Sequence, residues 1–128
     1  MTEPVIFVVD DDASVRRGLQ RLLSSAGYRV RVFASGRELL EDRGAGNPGC
    51  FVLDMRMPGL SGLALHEALL ATGFRGPVVF ITGDGEIPVG TRAAGDGSVT
   101  VLAKPVDDSD LLDAIQRLLS ASSQAGAG

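Results

Sequence analysis

Asp10, Asp11 and Asp12 follow directly on the apolar run Val5-Ile6-Phe7-Val8-Val9, and Asp54 follows directly on Cys50-Phe51-Val52-Leu53. Two further apolar runs end in other chemistry: Pro77-Val78-Val79-Phe80-Ile81 in the hydroxyl of Thr82, and the weaker run Val99 to Ala103 in Lys104-Pro105. Adjacent carboxylates about 4 Å apart repel by about 4 kcal/mol at an effective dielectric of 20, so acids bunched in this way call for a cation. Asp10 and Asp11 with Asp54 offer the hard oxygen ligands that Mg2+ (or Mn2+) takes, few enough that water and a substrate phosphate complete the octahedron. Asp54, alone at the end of its run, can then accept a phosphoryl group as an aspartyl-phosphate. Lys104 would supply a compact positive charge for the equatorial oxygens, and the Thr82 hydroxyl a hydrogen bond to another of them. Serine or cysteine hydrolase chemistry does not fit, because no base is paired with an activated nucleophile. Each group also has a plainer use: Asp12 as a helix cap, Thr82 as a strand-end cap, Lys104 as a solvated lysine. A cap made by Asp12 leaves Asp10 and Asp11 unexplained, and it is the joint occurrence of these groups at successive run ends that favours a site.

For these residues to meet, the four runs must be neighbouring strands. Uninterrupted Val, Ile and Phe read as strands buried on both faces, which in a short chain means a parallel sheet covered by helices. Between the runs lie helical patterns. Val15, Leu19, Leu22, Leu23 and Ala26 recur at helical spacing, with Arg16, Arg17, Gln20 and Arg21 on the other face and Gly27 as a left-handed stop. Tyr28 to Phe33 alternates and reads as a strand near the sheet edge. Ser35-Gly36-Arg37-Glu38 has the form of a capping box and opens a short helix with Leu39 and Leu40. Leu63, Leu65, Leu69 and Leu70 form a further helix that stops at Gly73. Leu111, Leu112, Ile115, Leu118 and Leu119 form the last, with Asp107 or Asp108 as cap. Between Gly83 and Gly97 five glycines interrupt what would be the fourth helix, each costing about 0.5 to 1 kcal/mol relative to alanine, so this segment is expected to be short or irregular.

Five strands alternating with helical segments give an α/β, doubly wound, flavodoxin-like (βα)5 fold. Right-handed crossovers favour the parallel order 2-1-3-4-5, which places the first and third strands side by side at the switch point where such sheets bind ligands.

The totals agree with one domain of 128 residues. Residues 1–119 are expected to form it, and 120–128, rich in Ser, Ala, Gln and Gly, to be a flexible tail or the start of a linker. A net charge of -4 and the lack of a dense Lys/Arg cluster argue against direct nucleic-acid binding. No apolar stretch approaches the roughly 20 residues of a membrane span, and the start lacks a signal-peptide pattern, so a cytoplasmic protein without a membrane partner is expected. The single Cys50 is expected to be a small core residue, and His66, the only histidine, a surface residue of the third helix.

The whole pattern resembles the receiver domain of bacterial two-component response regulators, most closely receivers of the FixJ type, from about Val5 to Leu119. The resemblance is carried by Val8-Val9-Asp10-Asp11-Asp12, Leu53-Asp54-Met55-Arg56-Met57-Pro58-Gly59-Leu60-Ser61-Gly62, Phe80-Ile81-Thr82-Gly83 and Lys104-Pro105. It implies that a sensor histidine kinase phosphorylates Asp54. It implies that Asp11 and the backbone carbonyl of Arg56 join Asp54 on Mg2+, with Asp10 acting through water, and that Thr82 senses the phosphoryl group while Lys104 pairs with it. A cis bond before Pro105, a downstream protein or effector domain as target, and homodimerisation on phosphorylation are also implied. Such a module promotes its own phosphorylation and dephosphorylation and is not a turnover enzyme. Two positions depart from the family pattern. Val101 stands where the family usually carries the aromatic residue that moves with the threonine, and the glycine-rich 83–97 segment replaces a helix of the usual output face. Two other readings stay open: a docking receiver that works without phosphorylation, and a phosphatase of the haloacid dehalogenase type, whose Asp-x-Asp signature Asp10-Asp11-Asp12 superficially satisfies.

Overall fold

The structure, a computed structural model, describes residues 5–42, 48–57, 59–74, 76–83 and 99–127, with side chains described as far as residue 120. Strand β1 (Val5–Val9) leads into helix α1 (Ala13–Ser25), then β2 (Arg29–Phe33), α2 (Gly36–Glu41), β3 (Cys50–Asp54), α3 (Gly62–Ala71), β4 (Val78–Thr82), β5 (Val99–Ala103) and α4 (Asp108–Ala127). All pairings are parallel, and the sheet has the order β2-β1-β3-β4-β5. The expected fold and strand order are thus those observed. The glycine-rich segment after Gly83, Asp84 and Glu86 included, lies outside the described residues.

Strand alternation divides the core in two. Ile6, Val8, Cys50, Val52, Val79 and Ile81 project to one side, where Leu23 of α1 and Leu111, Ala114, Ile115 and Leu118 of α4 cover them. Phe7, Val9, Phe33, Phe51, Leu53, Val78 and Phe80 project to the other, where Leu39 of α2 and Leu65 and Leu69 of α3 cover them. A fully buried Val, Leu, Ile or Phe contributes about 1.5 to 3 kcal/mol, so a one-residue slip of any central strand would sacrifice most of this burial. The central strands β1, β3 and β4 are therefore locked in register, and β2 and β5, half-exposed, form the edges.

The helix ends follow their local chemistry. Asp12 caps α1, its Oδ1 accepting from the amides of Ser14 at 2.8 Å and Val15 at 3.2 Å. Ser35 caps α2 by accepting from the Glu38 amide, while Glu38 reaches back to the amide of Ala34, one residue before the one a capping box uses. The Asp107 carbonyl accepts from Leu111 and so begins α4. At its other end α4 keeps helical backbone to Ala127, through the stretch whose composition suggested a loose tail. Its alanines and glutamine extend an already nucleated helix at small cost. Ala26, assigned to the inner face of α1, is exposed, and Leu19 and Leu22 are only half-buried because they border a groove of about 760 Å³ that also reaches Ile81, Lys104, Pro105 and Val106.

Gly62 holds α3 against the end of β3. A Cβ on it would stand 2.5 Å from the main-chain oxygen of Asp54 and 3.0 Å from Cα of Met55, both backbone atoms that cannot swing aside. A Cβ on Gly18, exposed in α1, would meet nothing within 4 Å among the described residues. Gly62→Ala is expected to destabilise the fold by about 1 to 3 kcal/mol through overpacking. Gly18→Ala should stabilise it by about 0.5 to 1 kcal/mol through helix propensity. Urea denaturation of both variants checks the pair, and equal shifts would refute the packing argument.

Candidate functional site

Each strand end at the carboxyl edge of the sheet is tied to its neighbour by one more backbone bond. The Asp10 amide donates to Phe33 at 3.1 Å, the Met55 amide to Ile81 at 2.9 Å, and the Lys104 amide to Thr82 at 2.7 Å. These bonds extend the ladder to where the apolar side chains stop, and there the polar ones begin. Asp10 is 2% exposed, Asp54 4% and Thr82 2%, whereas Asp11 and Lys104 are exposed.

Three of the expected groups converge. Carboxylate oxygens of Asp10, Asp11 and Asp54 lie within 4.8 Å of one another. Nζ of Lys104 stands 3.7 Å from Oδ1 of Asp54, the same oxygen to which the Arg56 amide donates at 3.3 Å. Lys104 precedes a cis bond to Pro105. Thr82 ends β4 one residue beyond Ile81, the register partner of Asp54, so alternation turns it to the side of Phe80, opposite to Asp54. Val101 is the register partner of Phe80, half-buried against the same α2/α3 side. Asp54 and Lys104 thus meet, while Thr82 and Val101 share the other side of the sheet.

The electrostatics follow from burial. Asp54 is held above the usual carboxylate range first by burial and then by repulsion from Asp10; the Lys104 charge and the Arg56 amide pull the other way without prevailing. Asp10 is likewise raised, mainly by burial, although its Oδ1 accepts from the Asp12 amide at 2.9 Å. Its other oxygen, Oδ2, is buried and has no hydrogen-bond partner among the described residues. A buried carboxylate with one such oxygen, in a residue that clusters with two further acids, is what a hard divalent cation would satisfy, so the residues present fit Mg2+. Asp12 differs from both: bonds from the Val15 and Ser14 amides lower its pKa, and its cap role sets it apart from the cluster.

Besides Ala26, sequence reasoning misplaced two polar side chains. His66, expected at the surface, is 6% exposed and meets Phe80 edge to face with centroids 5.4 Å apart. It falls within the apolar stripe marked by Leu65 and Leu69, which the one-letter pattern split because histidine counts as polar. Arg16, assigned to the solvent face with Arg17, is half-buried and donates from Nη1 to the Asp10 carbonyl at 2.7 Å. The only signal for it was a cation in the first turn of a helix, where the dipole disfavours one. Cys50 is the expected core residue; burial pushes its thiol up to about 12, so it has no nucleophilic form near neutrality.

Comparison with known proteins agrees with this fold. The model of the response regulator receiver domain family matches residues 6–116. Nodulation protein W of Bradyrhizobium diazoefficiens is 45% identical over 114 residues, covering 89% of this chain and 50% of that protein. The response regulator TmoT of Ectopseudomonas mendocina is 40% identical over 122 residues, covering 95% of this chain and 56% of that one. The chain therefore spans about half the length of the curated relatives it matches. Among solved structures, the response regulator StyR superposes with a TM-score of 0.85 at 46% identity, covering 98% of this chain and 64% of that one. FixJ-N superposes at 0.80 and 31%, covering 94% and 96%.

The raised carboxylates set the pH response of the metal-free protein. The folded chain binds protons at Asp10 and Asp54 more tightly than the unfolded chain does, so the slope of stability with pH is negative across their titration. The fold gains stability as pH falls from the raised values toward the ordinary one, and the charged pair destabilises it above that window. In EDTA, Asp54→Asn is expected to melt several degrees above the wild type at pH 7, with the gap closing toward about pH 4. Circular dichroism melts decide this, and an unchanged or lowered melting temperature at neutral pH would count against it.

Proposed function

Because the chain belongs to the response regulator receiver domain family, we propose that it is a phosphoryl-accepting switch of a two-component system in which Asp54 receives the phosphoryl group from a sensor histidine kinase. The observation that carries the reading is the buried Asp54 carboxylate, within reach of both the acids that follow β1 and the Lys104 ammonium. In the reaction an Asp54 oxygen forms the bond to phosphorus as the donor's bond to phosphorus breaks. Asp11, Asp54 and the Arg56 carbonyl would hold Mg2+, with Asp10 acting through water, and the ion would supply charge neutralisation for the entering phosphate. Lys104, already directed at Asp54, pairs with the phosphoryl oxygens once the carboxylate charge is spread over them. Thr82, at the neighbouring strand end but turned to the α2/α3 side, donates its hydroxyl to another oxygen only after turning toward Asp54. The switch is then a protein contact change rather than turnover of an outside substrate.

Output coupling in this chain departs from the usual course. Val101 shares its side of the sheet with Thr82 and Phe80, but a valine has no ring to move between exposed and buried positions. The segment 83–97, of which all but Gly83 lies outside the described residues, is the alternative carrier of the signal. Residues 1–119 form the receiver unit, in the cytoplasm, and 120–128 lead toward whatever effector domain or separate target reads the switch. Phosphorylation-dependent homodimerisation belongs to the same reading.

Incubation with a small acyl phosphate and Mg2+ is expected to add one phosphoryl mass to the wild type and none to Asp54→Asn or in EDTA, read by intact mass spectrometry. Release of inorganic phosphate from varied phosphomonoesters would favour the phosphatase instead, and inertness the docking module. The lifetime of the modified state depends on Gly83, where an added Cβ meets nothing within 4 Å among the described residues. A bulky substitution there has space beside Thr82 and should shield the acyl phosphate from water, lengthening its decay several-fold. An unchanged decay rate would show that water reaches Asp54 by another path.

A further inference from the structure

Arg16 lies in the first turn of α1, where the helix dipole disfavours a cation. Its neighbour Arg17 is exposed, yet Arg16 is half-buried and turned back along the helix toward the end of β1. There Nη1 donates to the main-chain carbonyl of Asp10 at 2.7 Å, a charge-assisted bond short enough to be strong. The Asp10 amide is meanwhile held by Phe33 at 3.1 Å, and the Asp12 amide folds back onto Oδ1 of Asp10 at 2.9 Å. Arg16 thus holds the peptide joining Asp10 to Asp11 directly, while the other two bonds hold the peptides on either side of it. Among the described residues no hydrogen bond holds the Asp11 carboxylate itself, so its direction depends on that peptide.

We propose that Arg16 is a positioning residue for the divalent-cation site: by clamping the Asp10 carbonyl it sets the Asp10–Asp11 peptide so that the Asp11 carboxylate faces Asp54. The inference rests on the receiver reading and adds to it a residue outside the groups that touch the phosphate or the ion. Three successive carboxylates repel one another, and a turn carrying them opens unless its backbone is tied down. Arg16 ties it down from the next element, with a planar fork that lysine cannot reproduce.

The sign of its effect separates this role from a simpler one. A guanidinium acting only through its charge would oppose a bound cation, so its removal would tighten Mg2+ binding. A clamp predicts the reverse. Amide chemical-shift titrations with Mg2+ on the wild type, Arg16→Lys and Arg16→Gln measure the affinity, and melting in EDTA measures the fold. Both variants are expected to bind Mg2+ about tenfold more weakly, the scale of one hydrogen bond from a charged group. Arg16→Lys, which keeps the charge and the stem, guards against a variant that merely fails to fold. Equal or tighter binding by Arg16→Gln, full affinity in Arg16→Lys, or a lowered melting temperature with unchanged affinity would each overturn the clamp. A wild type that does not bind Mg2+ would remove the receiver reading together with it, whereas normal wild-type binding with unaffected variants removes the clamp alone.

Discussion

Like charges held close together at the end of a buried sheet are the constraint that the rest of the molecule serves. Oxygens of Asp10, Asp11 and Asp54 come within 4.8 Å of one another, and two of the three side chains are almost wholly out of water. Neither burial nor proximity is favourable for a carboxylate, and both raise the pKa of Asp10 and Asp54. The arrangement persists because β1 and β3 are adjacent, registered from Ile6 with Cys50 to Val9 with Leu53, and cannot slip without exposing the core on both faces. Burial of apolar strand residues thus offsets the local repulsion, and the repulsion is what makes the cluster receptive to a cation.

The two sides of the sheet divide the work. Asp54 and Lys104 lie toward α1 and α4, where chemistry and the approach of a donor would take place. Thr82, Phe80, Val101 and His66 lie on the α2/α3 side or pack against it, which couples the end of β4 to the helix that follows β3. A shift of Thr82 would be felt on that side through close-packed side chains, since interiors of this density transmit small displacements rather than absorb them. With valine at 101 and a histidine packed edge-on against Phe80, the packing that would carry the displacement differs from that expected of an aromatic switch. Gly62 adds a second mechanical link, because α3 rests on the backbone of Asp54 itself.

The backbone around the acids is as closely determined as the side chains. Asp12 is used up by the α1 cap, which leaves Asp10 and Asp11 for the site and explains why a run of three serves where two would bind. Arg16 closes the same turn from the helix side. The cap acts on Asp12, and the ladder extension and guanidinium bond on the amide and carbonyl of Asp10, so the backbone of the turn is hydrogen-bonded without a ligand.

Local pattern determined the elements, their order and the identity of the polar groups at the strand ends. Apolar runs of strand length, helical periodicity and terminating glycines are short-range signals, and right-handed crossovers leave few ways to combine them. Asp10, Asp11, Asp54 and Lys104 were legible for this reason: each stands where an apolar run stops. What the one-dimensional pattern could not contain is the direction of a side chain that runs against its class. His66 is buried because it falls inside a stripe set by its neighbours, and Arg16 turns inward because a carbonyl just past the end of β1 lies within its reach. Which oxygen of Asp10 is satisfied and which is orphaned, and that Thr82 and Asp54 take opposite sides of the sheet, were decided only when the strands paired. Those are properties of distances between residues far apart in the chain, and they exist only once the packed core has set them.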